Sequence, residues 1–155
     1  MIVISNGDLL TADAEALVNA VNTVGVMGKG IALQFKDAHP ANYESYRTAC
    51  AAKRVRLGEM HVFDSATPGP RRYVINFPTK GHWRANSQAT DIQAGLTDLV
   101  RVVRERRIAS VAVPALGCGN GLLEWDRVRP MIEHAFADLP DIRVLLFPPP
   151  QHPQH

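Results

Sequence analysis

Short apolar runs alternate along this chain with longer stretches in which apolar residues return every three or four positions. The runs at 2–5, 16–21, 60–65, 73–77, 110–114 and 144–147 are rich in β-branched and aromatic residues and predict six strands. Several are apolar almost without a break, as expected for strands covered by helices on both faces of a sheet. Over 87–107, Ile92, Leu96, Leu99 and Val103 recur at steps of four and three, which predicts a helix with one apolar stripe. A second such helix is predicted over 125–139, with Val128, Ile132, Ala135 and Leu139 on one face. Two more, 31–38 and 41–51, are separated by His39-Pro40, because proline disfavours helical backbone in the residue before it. The order β-β-α-α-β-β-α-β-α-β has no internal repeat and reads as a layered α/β domain.

At 155 residues the chain has room for one domain, since domains run to roughly 100–200 residues. The domain is expected to span 1–147. Residues 148–155, three prolines followed by Gln151-His152-Pro153-Gln154-His155, read as a linker-like tail. With 46% hydrophobic and 21% charged residues, the composition excludes a largely disordered chain. No apolar run approaches the roughly 20 residues a bilayer requires, and the N-terminal sequence lacks the basic flank of a signal peptide. Cys50 and Cys118 read as reduced thiols, so the expectation is a cytoplasmic protein without membrane attachment. A net charge of +2 does not by itself imply nucleic-acid binding. Arg71, Arg72, Lys80, His82, Arg84 and the arginines at 101–107 do concentrate in the middle third. They form either a surface that follows a phosphate backbone or a solvated helix face with loop charges.

Four segments carry candidate chemistry, each beyond a predicted strand, where open α/β sheets bind ligands. In the first, Asp8 with Leu9 follows the opening strand; its carboxylate could accept from an exocyclic amine such as adenine's, or could simply cap a turn. In the second, Asn22 leads into Gly25, Gly28, Lys29, Gly30 and Ile31 at a helix start. Glycines there admit close backbone approach and helix N–H groups can face an anion, although a plain flexible loop would have similar composition. The spacing matches neither a Walker A loop nor a dinucleotide fingerprint. In the third, Thr79 and Lys80 precede His82, Trp83 and Arg84. A lysine becomes a nucleophile or base when burial or a neighbouring cation lowers its pKa, whereas exposed lysine is the common case. The fourth, Gly117, Cys118, Gly119, Asn120, Gly121 and Leu122, has glycines at alternate positions, and successive amides there can form an anion-binding nest. Cys118 reads as a small loop residue rather than a nucleophile, having no base at a diagnostic spacing. No His/Cys/Asp group has metal-ligand spacing, and nothing calls for a cofactor.

These segments resemble a known family. Residues 7–9 (GDL), 16–22 (ALVNAVN), 25–35 (GVMGKGIALQF) and the 114–121 loop are similar to the ADP-ribose-binding macrodomains, over 1–147. Within that superfamily 25–35, 76–80 (NFPTK) with 82–84 (HWR), and 109–114 (ASVAVP) resemble the DarG family, the antitoxins of DarT–DarG systems. The resemblance implies a three-layer α/β/α macrodomain with a mixed, roughly six-stranded central sheet. It also implies a glycohydrolase that removes ADP-ribose from a base of single-stranded DNA, thymine or in another branch guanine, reversing the modification placed by the DarT toxin.

Carried over by position, Asp8 would contact adenine and Asn22 the distal ribose. Gly28, Lys29, Gly30 and Ile31, with 117–122, would hold the diphosphate and ribose, and Lys80 would face the anomeric carbon. His82, Trp83 and Arg84 are candidates for the modified base or its flanking phosphates. One branch of the superfamily pairs such a lysine with an aspartate in the second glycine-rich loop. The matching position here is Gly121, so that scheme does not transfer whole, and a water activated by another group or by the substrate phosphate would have to substitute. The implied partners are ADP-ribosylated single-stranded DNA, product ADP-ribose and the DarT toxin, the last through sequence beyond this chain. A monomer is expected. Two other functions stay open: a module that binds ADP-ribose without cleaving it, and a hydrolase of protein-linked ADP-ribose.

Overall fold

The computed structural model describes residues 1–150, the Asn120 side chain excepted; residues 151–155 of the expected tail lie outside the described residues. Six strands form one sheet: β1 (Ile2–Ile4), β2 (Ala16–Asn22), β3 (His61–Asp64), β4 (Tyr73–Lys80), β5 (Ser110–Val113) and β6 (Arg143–Leu146). Their spatial order is β1-β6-β5-β2-β4-β3. Every pairing is parallel except that of β3 with β4, so the expected mixed, six-stranded sheet is present. The helices are α1 (Gly30–Ala38), α2 (Pro40–Ala51), α3 (Ala89–Glu105) and α4 (Trp125–Ala135).

Alternation along the strands sorts the core into two faces. Ala16 and Val18 of β2, with Tyr73, Ile75 and Phe77 of β4, pack against the apolar stripes of α3 and α4. Leu17, Val74 and Ala112 face the other way, onto Phe35 of α1, while Val21 meets Tyr46 and Ala49 of α2. The sheet is therefore the middle of three layers, and its central strands are buried on both sides, which is why they read as continuous apolar runs.

Helix limits differ from the periodicity by a few residues, for local reasons. Pro40 opens α2 at its first turn, where a missing N–H costs nothing. Ser87 stays outside α3 because its amide donates to the Gly121 carbonyl at 3.0 Å. Past Ala135, α4 gives way to three-residue turns, with Ala137 bonded to His134 and Leu139 to Phe136.

The larger difference is in β4, which runs three residues beyond the expected end at Phe77. Pro78 lies past the last β3 pair, His61 with Asn76, and there β4 has become an edge that tolerates proline. Pairing with β2 then slips: Val21 faces Pro78 but Asn22 faces Lys80, so Thr79 is an extra residue. Its hydroxyl donates to the Val21 carbonyl at 3.3 Å. Such a bulge re-aims the next side chain, and here that side chain is Lys80.

Candidate active site

Because β1, β2, β4, β5 and β6 are mutually parallel, the loops at their C-terminal ends share one edge of the sheet. A cavity of about 1310 Å³ opens there, lined from all five loops. That exceeds the roughly 300–1,000 Å³ of sites for drug-sized ligands and suits an elongated one.

One wall is the start of α1. Lys29 is its N-cap in extended conformation and supplies no side-chain cap, and the first helical bond runs from the Leu33 amide to the Lys29 carbonyl. The preceding first-turn amides keep their donors, and Gly28, Lys29, Gly30 and Ile31 all line the cavity. An uncapped helix start with a lysine beside it is a cradle for an anion.

Asn22 builds the approach to that wall. Its Oδ1 accepts from the amides of Val24, Gly25 and Val26 at 3.0, 3.2 and 3.3 Å, and its Nδ2 donates to the Val26 carbonyl at 2.8 Å. Asn22 borders the cavity, and most of its hydrogen-bonding capacity holds the loop.

The opposite wall is the loop after β5, where Gly117, Cys118, Gly119 and Gly121 line the cavity. Among the described residues no carbonyl accepts from the Gly117 or Gly119 amide, so both remain available to a ligand. The Cys118 thiol is pushed up to about 11 by burial and then by Glu124, which keeps it protonated and removes it as a nucleophile at neutral pH. Gly121 packs on Ser87: a Cβ there would lie 2.4 Å from Ser87 Oγ and 3.0 Å from its Cβ, so any larger residue would have to displace that side chain. Leu122, expected to touch the ligand, does not line the cavity: its left-handed backbone, φ 65°, leaves the side chain 68% exposed.

Asp8 caps a turn, the plainer of its two sequence readings, and also lies on the cavity wall. Oδ1 accepts from the Leu10 amide at 3.0 Å and caps a short turn, while the residue lines the cavity with Leu9.

Thr79 and Lys80, at the end of β4, line the same cavity. Lys80 Nζ donates to the Trp83 carbonyl at 3.0 Å, and its pKa lies below the ordinary lysine value, first because of burial and then because of the Lys29 cation. Trp83 lines the cavity mouth, 45% exposed, and stacks on the His82 ring at 3.8 Å between centroids. His82 and Arg84 do not line the cavity; the His82 ring instead accepts from the Arg84 amide at 3.1 Å. Thr23 ties the neighbouring loop to this one by donating to the Gly81 carbonyl at 3.0 Å.

A macro domain family model matches residues 18–132. The chain is a macrodomain. The solved macrodomain of Mycobacterium tuberculosis DarG is 53% identical and superposes with a TM-score of 0.95, covering 97% of this chain and 99% of that one. A Mycobacterium tuberculosis protein named DNA ADP-ribosyl glycohydrolase is 54% identical over 149 residues, 96% of this macrodomain but 42% of the relative. Thermosipho africanus DarTG, solved in complex with ADP-ribose, is 33% identical with a TM-score of 0.90, covering 98% of this chain and 43% of that one. The macrodomain thus spans less than half the length of those two longer relatives.

Several cavity residues carried no sequence signal. Gln34 reaches the cavity one turn into α1, and Phe147, Pro148, Pro149 and Pro150 form a wall beyond β6. A proline run reads as linker whether or not the fold folds it back. Tyr46, beneath Asn22, could have been found from its helical spacing with Asn42 and Ala49, all three buried. Among the described residues no group of acidic, His or Cys side chains could hold a metal, and no helix is long and apolar enough to cross a membrane.

Proposed function

We propose that this macrodomain is a DNA ADP-ribosyl glycohydrolase that removes ADP-ribose from a modified base, thymine in the first instance, in single-stranded DNA. In that role it is the antitoxin to a DarT ADP-ribosyltransferase. The observation that carries the reading is Lys80, an amine of depressed pKa lining the same cavity as two amide-lined walls suited to a diphosphate. The names of the longer relatives supply the substrate class.

In this reading the amides of Gly28 to Ile31 and of Gly117 and Gly119 grip the diphosphate, Asp8 takes the adenine amine, and the loop shaped by Asn22 borders the distal ribose. The grip sets the ribose C1 beside Lys80 and makes the reaction local. Neutral Lys80 forms a bond to C1 as the C1–N bond to the base breaks; the base leaves with that electron pair and takes up a proton. Water then displaces the lysine and yields free ADP-ribose. Trp83 meets the base or its neighbour by stacking, with His82 supporting its ring and Arg84 near the phosphates. The protein acts as a monomer in this reading, its cavity being lined from five loops of the same fold. The activity is taken to be cytoplasmic, a reading that the free Cys50 and Cys118 thiols support, and the toxin is engaged through sequence outside this chain.

The test is to incubate ADP-ribosylated single-stranded DNA and ADP-ribosylated protein side by side and measure released ADP-ribose. Release from DNA, lost in Lys80→Ala with ADP-ribose affinity retained, supports the reading. Binding without release makes the protein a reader, and release from protein alone makes it a protein-directed hydrolase. Borohydride trapping of a covalent adduct separates a nucleophilic Lys80 from one that only stabilises the departing base.

A further inference from the structure

Ser87 has no part in the roles above, yet it is pressed against one of the cradles. It lies between the Lys80 loop and α3 and is 4% exposed. Its amide donates to the Gly121 carbonyl, but its hydroxyl is buried without a hydrogen-bond partner among the described residues. An unpaired buried hydroxyl loses its hydration and gains nothing in return, so it raises the free energy of the state that contains it. The loop backbone is close by. A Cβ built on Gly121 would lie 2.4 Å from Ser87 Oγ, and one built on Gly117 would lie 3.2 Å from Ser87 Cβ.

The loop has the means to rearrange. Gly117 and Gly119 sit at φ +74° and +58°, in the left-handed region that glycine enters and leaves with little strain. Both residues line the cavity and their amides have no carbonyl acceptor among the described residues, so a bound anion has two donors there to recruit.

We propose that Ser87 is a positioning residue for the second cradle: its hydroxyl gains a hydrogen bond from the backbone of residues 117–121 when that loop closes on an anionic diphosphate. The proposal rests on the reading that the cavity takes ADP-ribose. Closure relieves the unpaired hydroxyl, so part of the affinity for the diphosphate is held in reserve at a residue that never touches it.

The experiment compares wild type with Ser87→Ala in three measurements: melting temperature of the free protein, ADP-ribose affinity by calorimetry, and KM and kcat on ADP-ribosylated DNA. The expected result is a free variant that melts at or above the wild-type temperature, since the unpaired group is gone. Its ADP-ribose affinity is expected to be weaker by about tenfold, with the kinetic loss in KM rather than kcat. A lower melting temperature of the free variant overturns the proposal whatever the affinity, because the hydroxyl would then already stabilise the unliganded fold. Unchanged affinity overturns it as well. Wild-type protein that fails to bind ADP-ribose removes the ligand reading and this proposal together, whereas wild-type affinity in the variant removes this proposal alone.

Discussion

The Tyr46 hydroxyl donates to the backbone carbonyl of Asn22 at 2.7 Å and lies 2.9 Å from that residue's Oδ1, joining α2 to the last residue of β2. The same Oδ1 collects three loop amides, so one buried phenol anchors the residue that shapes the approach to α1. Tyr46→Phe removes the donor and little volume. The expected outcome is a loss of about 1–3 kcal/mol of stability by chemical denaturation, the cost of leaving a buried acceptor unpaired. ADP-ribose affinity should fall several-fold by calorimetry, because the first cradle hangs from this loop. Unchanged affinity in the destabilised variant would separate the loop from the cradle.

Lys80 is depressed by burial and by Lys29, so its neutral form is reached at a lower pH than for an ordinary lysine. If the neutral amine does the chemistry, kcat rises with pH through the Lys80 pKa. Removing the Lys29 charge raises that pKa, and the kcat–pH profile of Lys29→Gln should shift toward alkaline pH. Lys29 also lines the cavity, so the comparison uses kcat at saturating substrate, where weaker binding does not enter. A profile that stays in place would show that Lys80 does not limit the rate through its protonation.

Gly95 of α3 lies so close to β4 that a Cβ there would come within 2.3 Å of Phe77 Cζ. Gly95→Ala gains about 1 kcal/mol in helix propensity but meets overpacking of about 1–3 kcal/mol against a fully buried ring. A net loss of stability is expected in denaturant titration. Pairing it with Phe77→Leu, which vacates the contact, should recover part of the loss, and additive effects of the two changes would contradict the contact.

The order of elements, the sheet with helices on both faces and the glycine-rich walls were all legible in the sequence, because hydrophobic periodicity and glycine placement are local properties. The resemblance of 76–80 to a known family pointed to Lys80. Its aim depends on Thr79 slipping the β2–β4 register, which needs both strands. Leu122 looked like a continuation of its loop until its left-handed backbone turned it outward. Pro148, Pro149 and Pro150 carry no pattern that distinguishes a wall from a linker, and Ser87 gains meaning only from Gly121 on a distant segment. What the sequence withheld are contacts between segments far apart in the chain.

A buried polar network beneath the site ties stability to pH. Asn76 Oδ1 accepts from Asn19 and Asn42, each at 3.3 Å, and its Nδ2 donates to Asn42 at 2.8 Å and to His61 Nδ1 at 3.0 Å. An amide nitrogen only donates, so His61 Nδ1 is unprotonated and its Nε2–H faces Ser45 Oγ at 3.3 Å. Burial first, and the Arg54 charge second, hold the His61 pKa below its ordinary 6.5. The unfolded chain therefore binds a proton more readily than the folded one, and stability present above about pH 6.5 is lost as the pH falls toward the folded pKa. His39 shifts the same way, through burial and then Arg71, so it contributes to the same slope. Asp64, held at about 2 chiefly by its hydrogen bond to Arg72, acts only in the more acidic range below the ordinary carboxylate value. His61→Gln keeps an acceptor for Asn76 and cannot titrate. Melting temperatures between about pH 5 and 7 should fall less steeply for this variant than for wild type, with the remaining slope assigned to His39. Parallel curves would mean that His61 keeps its solution pKa in the fold and that the tautomer deduced from Asn76 is wrong.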